Sequence, residues 1–443
     1  MLLQFTAANY KSFKDAFTFS MIPAPKQKGL DYSVMQESID RKKYKALCSS
    51  VIYGPNASGK TNIISAMDTF KAIVLKGHVR NSVNNENSPN VAAGSLELIP
   101  NNRGNETQPV TFAISFIEQG LHIEYEFTAD LGAFIEVGYE REILSESLKV
   151  NTKMIFSRDK ERGLKFETLD VIRVFLVNAF DENAEGAIML AKSNLNREEL
   201  FLTNGFKAMF SSQLVTLIAN WLDKKLITIC RADLMRLVRK IQESNSNSLF
   251  RDDRLNELAR YFGVNSNDLV YKVDKESNVA ELYSFIKHRR NAATIPAEIY
   301  ESYGTIRFMS IIPFVIKVIV EGGTLVIDEF DASIHPMALM NIVNLFHNDE
   351  INVNHAQLIF NTHNPIFLNA NIFRRDEIKF VERDDDTHIS TLYSLSDFGT
   401  AGETGVRKNE DYMKNYFIDR YGAIKDVNFA PFFEALLQDR KEV

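Results

Sequence analysis

The period of the apolar residues changes repeatedly along this chain, and the changes outline its organisation. Near the start, Leu3, Phe5 and Ala7 alternate with polar neighbours, and FTFSM at 17–21 repeats the pattern, so the opening segment is expected to be strands. SSVIY at 49–53 is short, apolar and β-branched, as in a buried strand, and runs into a glycine-containing loop. After Lys60, Ile63, Ile64, Met67, Phe70, Ile73 and Val74 fall at helical spacing, which gives strand, loop, helix. Residues 80–108 are rich in Asn, Ser, Gly and Pro and read as exposed loop with one short strand, SLELI. From 109 to 170, VTFAISF, LHIEYEFTAD, FIEVGYEREIL, KMIFSRD and LKFETL predict antiparallel strands joined by short turns. LVTLIANWLDKKLITI, RADLMRLVRKIQE and RLNELARYF then predict helices, interrupted by SNSNS at 244–248. This stretch reads as an inserted helical arm, too short and too poor in heptads for a long coiled coil. The last third alternates again: helix 305–320, strand TLVIDEF, helix 336–347, strand QLIFNTH, and a hairpin of IKFVER and ISTLYSL around DDDTH. The division expected is 1–189, 190–295 and 296–443: an α/β N-terminal lobe rich in antiparallel strands, a helical insertion and an α/β C-terminal lobe.

Composition narrows the class. Of 443 residues, 45% are apolar and 25% charged, an ordinary soluble balance that leaves room for more than one core. The net charge of -7 and pI near 5.8 argue against a protein that coats nucleic acid, although a local basic groove stays open. Cys48 and Cys230 lie far apart without metal-ligand spacing, as in a reducing compartment. MLLQFTAANYKSFKD has no apolar core behind a basic start, and no run of about 18 apolar residues follows. A cytoplasmic protein without a membrane partner is expected.

Gly54-Pro55-Asn56-Ala57-Ser58-Gly59-Lys60-Thr61 has two glycines bracketing four residues, then Lys-Thr. Glycines let successive N–H groups turn toward phosphates, and the following helix presents its positive end to the same anion. Lys60 is expected at the β- and γ-phosphates and the Thr61 hydroxyl on Mg²⁺. The flanking strand and helix supply the context this motif requires.

Thr324–Ile327 ends in Asp328-Glu329, and acids at the end of a buried parallel strand lie where α/β sheets bind ligands. Asp328 is expected to hold Mg²⁺ and Glu329 to act as general base on water. Asn361-Thr362-His363 ends the next apolar strand, where His363 is placed to meet a γ-phosphate and orient that water.

With these pieces in order, the chain resembles the SMC/RecF branch of ABC-type ATPases, above all the compact ABC-like ATPases of bacterial abortive-infection and phage-defence loci of the AbiL/RloA kind. NYKSF is similar to that branch's opening strand and turn. GPNASGKTN resembles its Walker A form, with Asn56 and Asn62 in place. Glu301–Thr305 resembles its signature, DEFDASIHP its Walker B and D-loop, NTHNP its histidine switch, and KNEDYMKNYFIDRYGAI the compact group's tail. The resemblance covers both lobes. It implies an ABC-type head with an antiparallel N-terminal lobe and a helical arm, and two ATPs sandwiched between two heads. Gly54 to Asn62 would bind nucleotide, with Thr61 and Asp328 as metal ligands and Glu329 and His363 as catalytic residues. Ser302 and Gly304 would come from the other head, although Ser302 also suits the N-cap of the next helix. It further implies antiviral defence with a separately encoded effector such as a nuclease, the arm carrying the partner or trigger surface. His335 stands where SMC heads carry a D-loop aspartate, and Gln108 is the candidate for the glutamine linking nucleotide to arm, against the plainer reading of a surface glutamine.

Other signals read more simply. Asp384, Asp385 and Asp386 suit a solvated hairpin tip better than a nuclease metal site. Arg231, Arg236, Arg239 and Lys240, and the run Lys287 to Arg290, suit solvated faces better than phosphate contacts. A RecF-like repair ATPase that binds DNA, and a nucleotide-gated scaffold with little turnover, are the alternatives.

Overall fold

A computed structural model describes residues 1–25, 27, 29–80, 100–103, 107–133, 139–177, 184–230, 249–261, 263, 268–273, 280–289, 291–400, 405–407, 410–425 and 428–439. Two large sheets face each other across the helix Lys60–Lys76. The first is a seven-stranded antiparallel sheet in which Leu2–Ala8 and Phe17–Ser20 extend the strands between 110 and 166. The second has six strands in the order Leu226–Ile229, Thr324–Ile327, Gln357–Asn361, Ser49–Tyr53, Ile378–Arg383 and Ser390–Ser394, all parallel except the last.

Alternation along the parallel strands divides the apolar residues between two cores. Ile52, Val326 and Ile359 point to the helix Lys60–Lys76, whose Ile63, Met67, Phe70 and Val74 fill the space up to the antiparallel sheet. Phe70 packs there on Phe5, with ring centroids 5.8 Å apart, and on Phe127 at 5.7 Å. Val51, Leu325, Ile327, Leu358 and Phe360 point the other way, against helices Tyr303–Glu321 and Pro336–Phe346. Tyr303–Glu321 is long and apolar enough to cross a membrane by length and composition, yet Phe308, Met309, Ile311, Ile312, Val315 and Val318 are buried in this second core.

Two buried polar side chains tie the layers. Gln357 accepts from Leu2 N at 2.6 Å and donates to the carbonyls of Leu2 and Leu47, both at 3.0 Å, so it joins the first strand to the parallel sheet. Glu146, fully enclosed, accepts from Phe201 N at 2.7 Å, Leu202 N at 2.8 Å and Tyr125 Oη at 2.9 Å. Leu200 N and Asn204 Nδ2 in turn donate to Gly77 O, at the end of the helix Lys60–Lys76.

The block expected to be a helical arm is only partly helical. Ser212–Asn220 and Asp253–Tyr261 are helices, but Leu226–Ile229 is the edge strand beside Thr324–Ile327. LITI is a short, mostly apolar and β-branched run, the form of a buried parallel strand, and the helical spacing before it hides the change. Leu249–Arg251, Asp268–Val273, Ala280–His288 and Asn291–Pro296 form an antiparallel sheet of four strands where helix was expected. RADLMRLVRKIQE with its basic edge, SNSNS and SLELI lie outside the described residues.

Removal of a buried, multiply bonded carboxylate strands its donors. Glu146→Ala is therefore expected to destabilise the N-terminal lobe by roughly 3 kcal/mol, read as a lower midpoint in urea unfolding.

Candidate functional site

The carboxyl ends of the parallel strands converge on one place because the order of the sheet sets Gln357–Asn361 between Ser49–Tyr53 and Thr324–Ile327. The loop from Gly54 to Gly59 and the acids at 328–329 therefore face each other across a single strand. A Cβ on Gly54, at φ +157°, would strike the Val381 carbonyl and come within 2.7 Å of Ser58 Oγ. One on Gly59, at φ +113°, would come within 2.7 Å of both Ser12 Oγ and Ser390 Oγ. The loop can close over an anion only with glycine at these two positions. Ala57, at φ +62°, is held through its carbonyl by Arg383 Nη1 at 3.2 Å.

Pro55 is half-buried, Asn56 and Ala57 are exposed at the tip, and Ser58 is buried. Among the described residues the Ser58 hydroxyl has no hydrogen-bond partner, although the Ser58 carbonyl accepts from Ser390 Oγ at 2.6 Å. A buried hydroxyl beside two glycines and a lysine fits a phosphate oxygen. Lys60 is buried, and Nζ donates to the carbonyls of Gly54 at 2.7 Å and Pro55 at 2.9 Å. Burial pushes its pKa down to about 8, against the opposing pull of Asp328, Glu329 and Asp331.

Asp328 is buried, and Thr61 Oγ1 donates to its two oxygens at 3.0 and 3.1 Å. A hydroxyl against a carboxylate is an all-oxygen donor pair suited to a hard divalent cation that completes its shell with phosphate oxygens and water. Glu329 follows with an exposed side chain and a left-handed backbone, φ +50°. His363 lies at the open edge, shielded enough that lost hydration, and after it the Lys60 cation, lower its pKa against Asp331 and Asp328, which leaves the ring neutral near pH 7.

Asn62 turns its amide to Ser12 Oγ at 2.7 Å, and Ser12 O accepts from Ser390 N at 2.8 Å, so the NYKSF turn braces the phosphate loop from behind. Ser302 and Gly304 lie at the start of the helix Tyr303–Glu321. Ser302 Oγ caps the helix Tyr303–Glu321 by accepting from Thr305 N at 3.1 Å, and Gly304 lies so close to Ser333 O that a Cβ would overlap it. His335 caps the next helix, its Nδ1 accepting from Met337 N at 3.2 Å. Gln108 has an exposed side chain and a main-chain bond from Asn9. Asp384 accepts from Thr387 N and Oγ1, both at 2.7 Å, and so closes its own hairpin turn. Lys287 and Arg289 are exposed near a hairpin tip, and Arg290 lies outside the described residues. Reading by motif missed Ser12, Ser390, Arg307 and Asn361. NTH carried Asn361 in view, but only strand order reveals what lies beside it.

Residues 49–369, more than half of the chain, match the family described as "AAA domain, putative AbiEii toxin, Type IV TA system". The chain belongs to that family. Its fold is that of a P-loop ATPase, mixed α/β with an antiparallel sheet beside the parallel one. Among solved structures, an SMC head bound to the C-winged helix domain of ScpA aligns over 89% of this chain and 97% of its own, at 14% identity and TM-score 0.38. The SMC head domain from Thermotoga maritima aligns over 89% and 98%, at 12% identity and TM-score 0.35. No match was found among curated proteins. For this AAA family member, nucleotide binding follows from the family together with the loop.

The depressed Lys60 pKa has a pH signature. Between about pH 8 and 10.5 the unfolded chain keeps a proton on Lys60 that the folded chain has released, so stability rises with pH across that window. In nucleotide-free protein with chelator present, Lys60→Met should remove this rise, on the order of 1–3 kcal/mol, and should be the more stable form at pH 7. Urea unfolding at a series of pH values checks both points.

Proposed function

We propose that this chain binds ATP with Mg²⁺ and hydrolyses it in a composite of two heads, and that it serves antiviral defence as sensor or scaffold for a separately encoded effector. The observation that carries the hydrolytic part is the meeting of Thr61 and Asp328 at 3.0 Å beneath the glycine loop, with Glu329 next in sequence. Lys60, Ser58 and the loop N–H groups hold the β- and γ-phosphates. Thr61 and Asp328 would hold Mg²⁺, which would supply charge neutralisation on the phosphate oxygens. Glu329 takes the proton from the attacking water, and neutral His363 donates a hydrogen bond to the γ-phosphate.

Ser302 and Gly304 lie at the start of a 19-residue helix, with Ser302 exposed. A helix N-terminus with a serine hydroxyl is a γ-phosphate clamp for a second copy. The family description supports a role in defence, and the block at 190–295 is proposed as the partner surface. The effector is a protein, with a nuclease as the first expectation. Cytoplasmic localisation belongs to the same reading.

Phosphate release and mass with and without ATP test this for the wild type and Glu329→Gln. The wild type should hydrolyse ATP, and Glu329→Gln should lose at least about 100-fold in kcat and accumulate as an ATP-dependent dimer or larger assembly. Ser302→Arg should still bind ATP but fail to assemble. Absence of nucleotide binding and of any mass change in all three proteins would end the composite-site reading. Salt-sensitive DNA binding that stimulates hydrolysis would favour a repair ATPase instead.

A further inference from the structure

We propose that Asn361 is a positioning residue that sets both acids of the hydrolytic site through one side-chain amide; this rests on the ATPase reading above. Asn361 is the last residue of Gln357–Asn361 and only 1% exposed. Its Nδ2 donates to Asp328 Oδ1, and its Oδ1 accepts from Glu329 N at 2.6 Å. Its main-chain carbonyl accepts from Phe330 N at 3.3 Å, so three consecutive residues after Thr324–Ile327 are fixed by one residue of the neighbouring strand.

The orientation of the amide follows from its partners. A backbone N–H can only donate and an ionised carboxylate can only accept, so Oδ1 must face Glu329 and Nδ2 must face Asp328. An amide is the uncharged group of this size that offers a donor and an acceptor together. Aspartate would bring two acceptors, one against another carboxylate, and leucine would offer neither.

Each contact has a separate consequence. Thr61 Oγ1 and Asn361 Nδ2 both donate to Asp328, which fixes the rotation of the carboxylate before any cation is bound. Glu329 occupies a left-handed backbone conformation that is strained for a residue with a side chain. Asn361 holds its N–H, and Arg307 Nη2, buried on helix Tyr303–Glu321, donates to its carbonyl at 2.8 Å. The base thus projects from a backbone gripped on both sides, one grip coming from the strand beside the phosphate loop and the other from the helix that begins at Ser302.

The test is steady-state hydrolysis by Asn361→Leu and Asn361→Asp, with ATP affinity measured with and without Mg²⁺ and melting temperature followed for each protein. Misplaced acids should lower kcat at least tenfold in both variants while KM for ATP moves less than threefold. Asn361→Leu should also need at least fivefold more Mg²⁺ for half-maximal rate. A structural role alone would lower the folded fraction and leave kcat per bound nucleotide unchanged, and that result overturns the proposal. Should the wild type release no phosphate, the hydrolytic reading fails on its own. The Mg²⁺-induced tightening of ATP binding then decides the present one: loss of that tightening in Asn361→Leu supports it, and equal tightening in wild type and variant overturns it.

Discussion

A buried carboxylate cannot remain unaccompanied, and the fate of Asp328 organises the centre of this molecule. It ends a strand whose four residues are all buried, and its oxygens are taken up by Thr61 from the phosphate-loop helix and Asn361 from the adjacent strand. Those partners come from segments about 270 and 30 residues away in sequence, so the site forms only after the parallel sheet has assembled in its crossed order. Fold and chemistry share one constraint: the strand between the two motifs must carry a small side chain that can both give and accept a hydrogen bond.

The other buried charge of the site faces the opposite problem. Lys60 lies among carbonyls and near three acids, yet burial outweighs their attraction and depresses its pKa. A protein optimised for stability alone would not bury an ammonium there. The same placement gives the cation a large effect on an incoming polyanion, because little water screens it. Lost hydration, and after it the nearby Lys60 cation, likewise lower the His363 pKa, which favours a neutral donor at the site's edge.

Much of this is legible in the amino-acid sequence alone, for identifiable reasons. The phosphate loop and Asp328-Glu329 are contiguous motifs whose meaning depends on the strand and helix immediately around them, and apolar periodicity shows both. The block from 190 to 295 was less legible, because LITI continues a helical pattern by composition while its geometry is that of an edge strand paired with Thr324–Ile327. Asn361 and Arg307 were hidden for another reason. Their roles depend on which strand lies beside which and on the packing of a helix over the sheet, and neither leaves a mark at fixed sequence spacing. Ser12 is intermediate: NYKSF stood out as an opening turn, but its bond to Asn62 exists only because the antiparallel sheet folds back over the phosphate-loop helix.

The central claim is that the glycine loop and Asp328 make one Mg²⁺-dependent nucleotide site. Calorimetric titration of the wild-type protein with ATP, in the presence of Mg²⁺ and again with chelator, tests it most directly. The account predicts saturable binding at one nucleotide per chain that weakens at least about tenfold, or about 1.4 kcal/mol, when Mg²⁺ is withdrawn. Binding of equal strength in both conditions, or no binding in either, would contradict it.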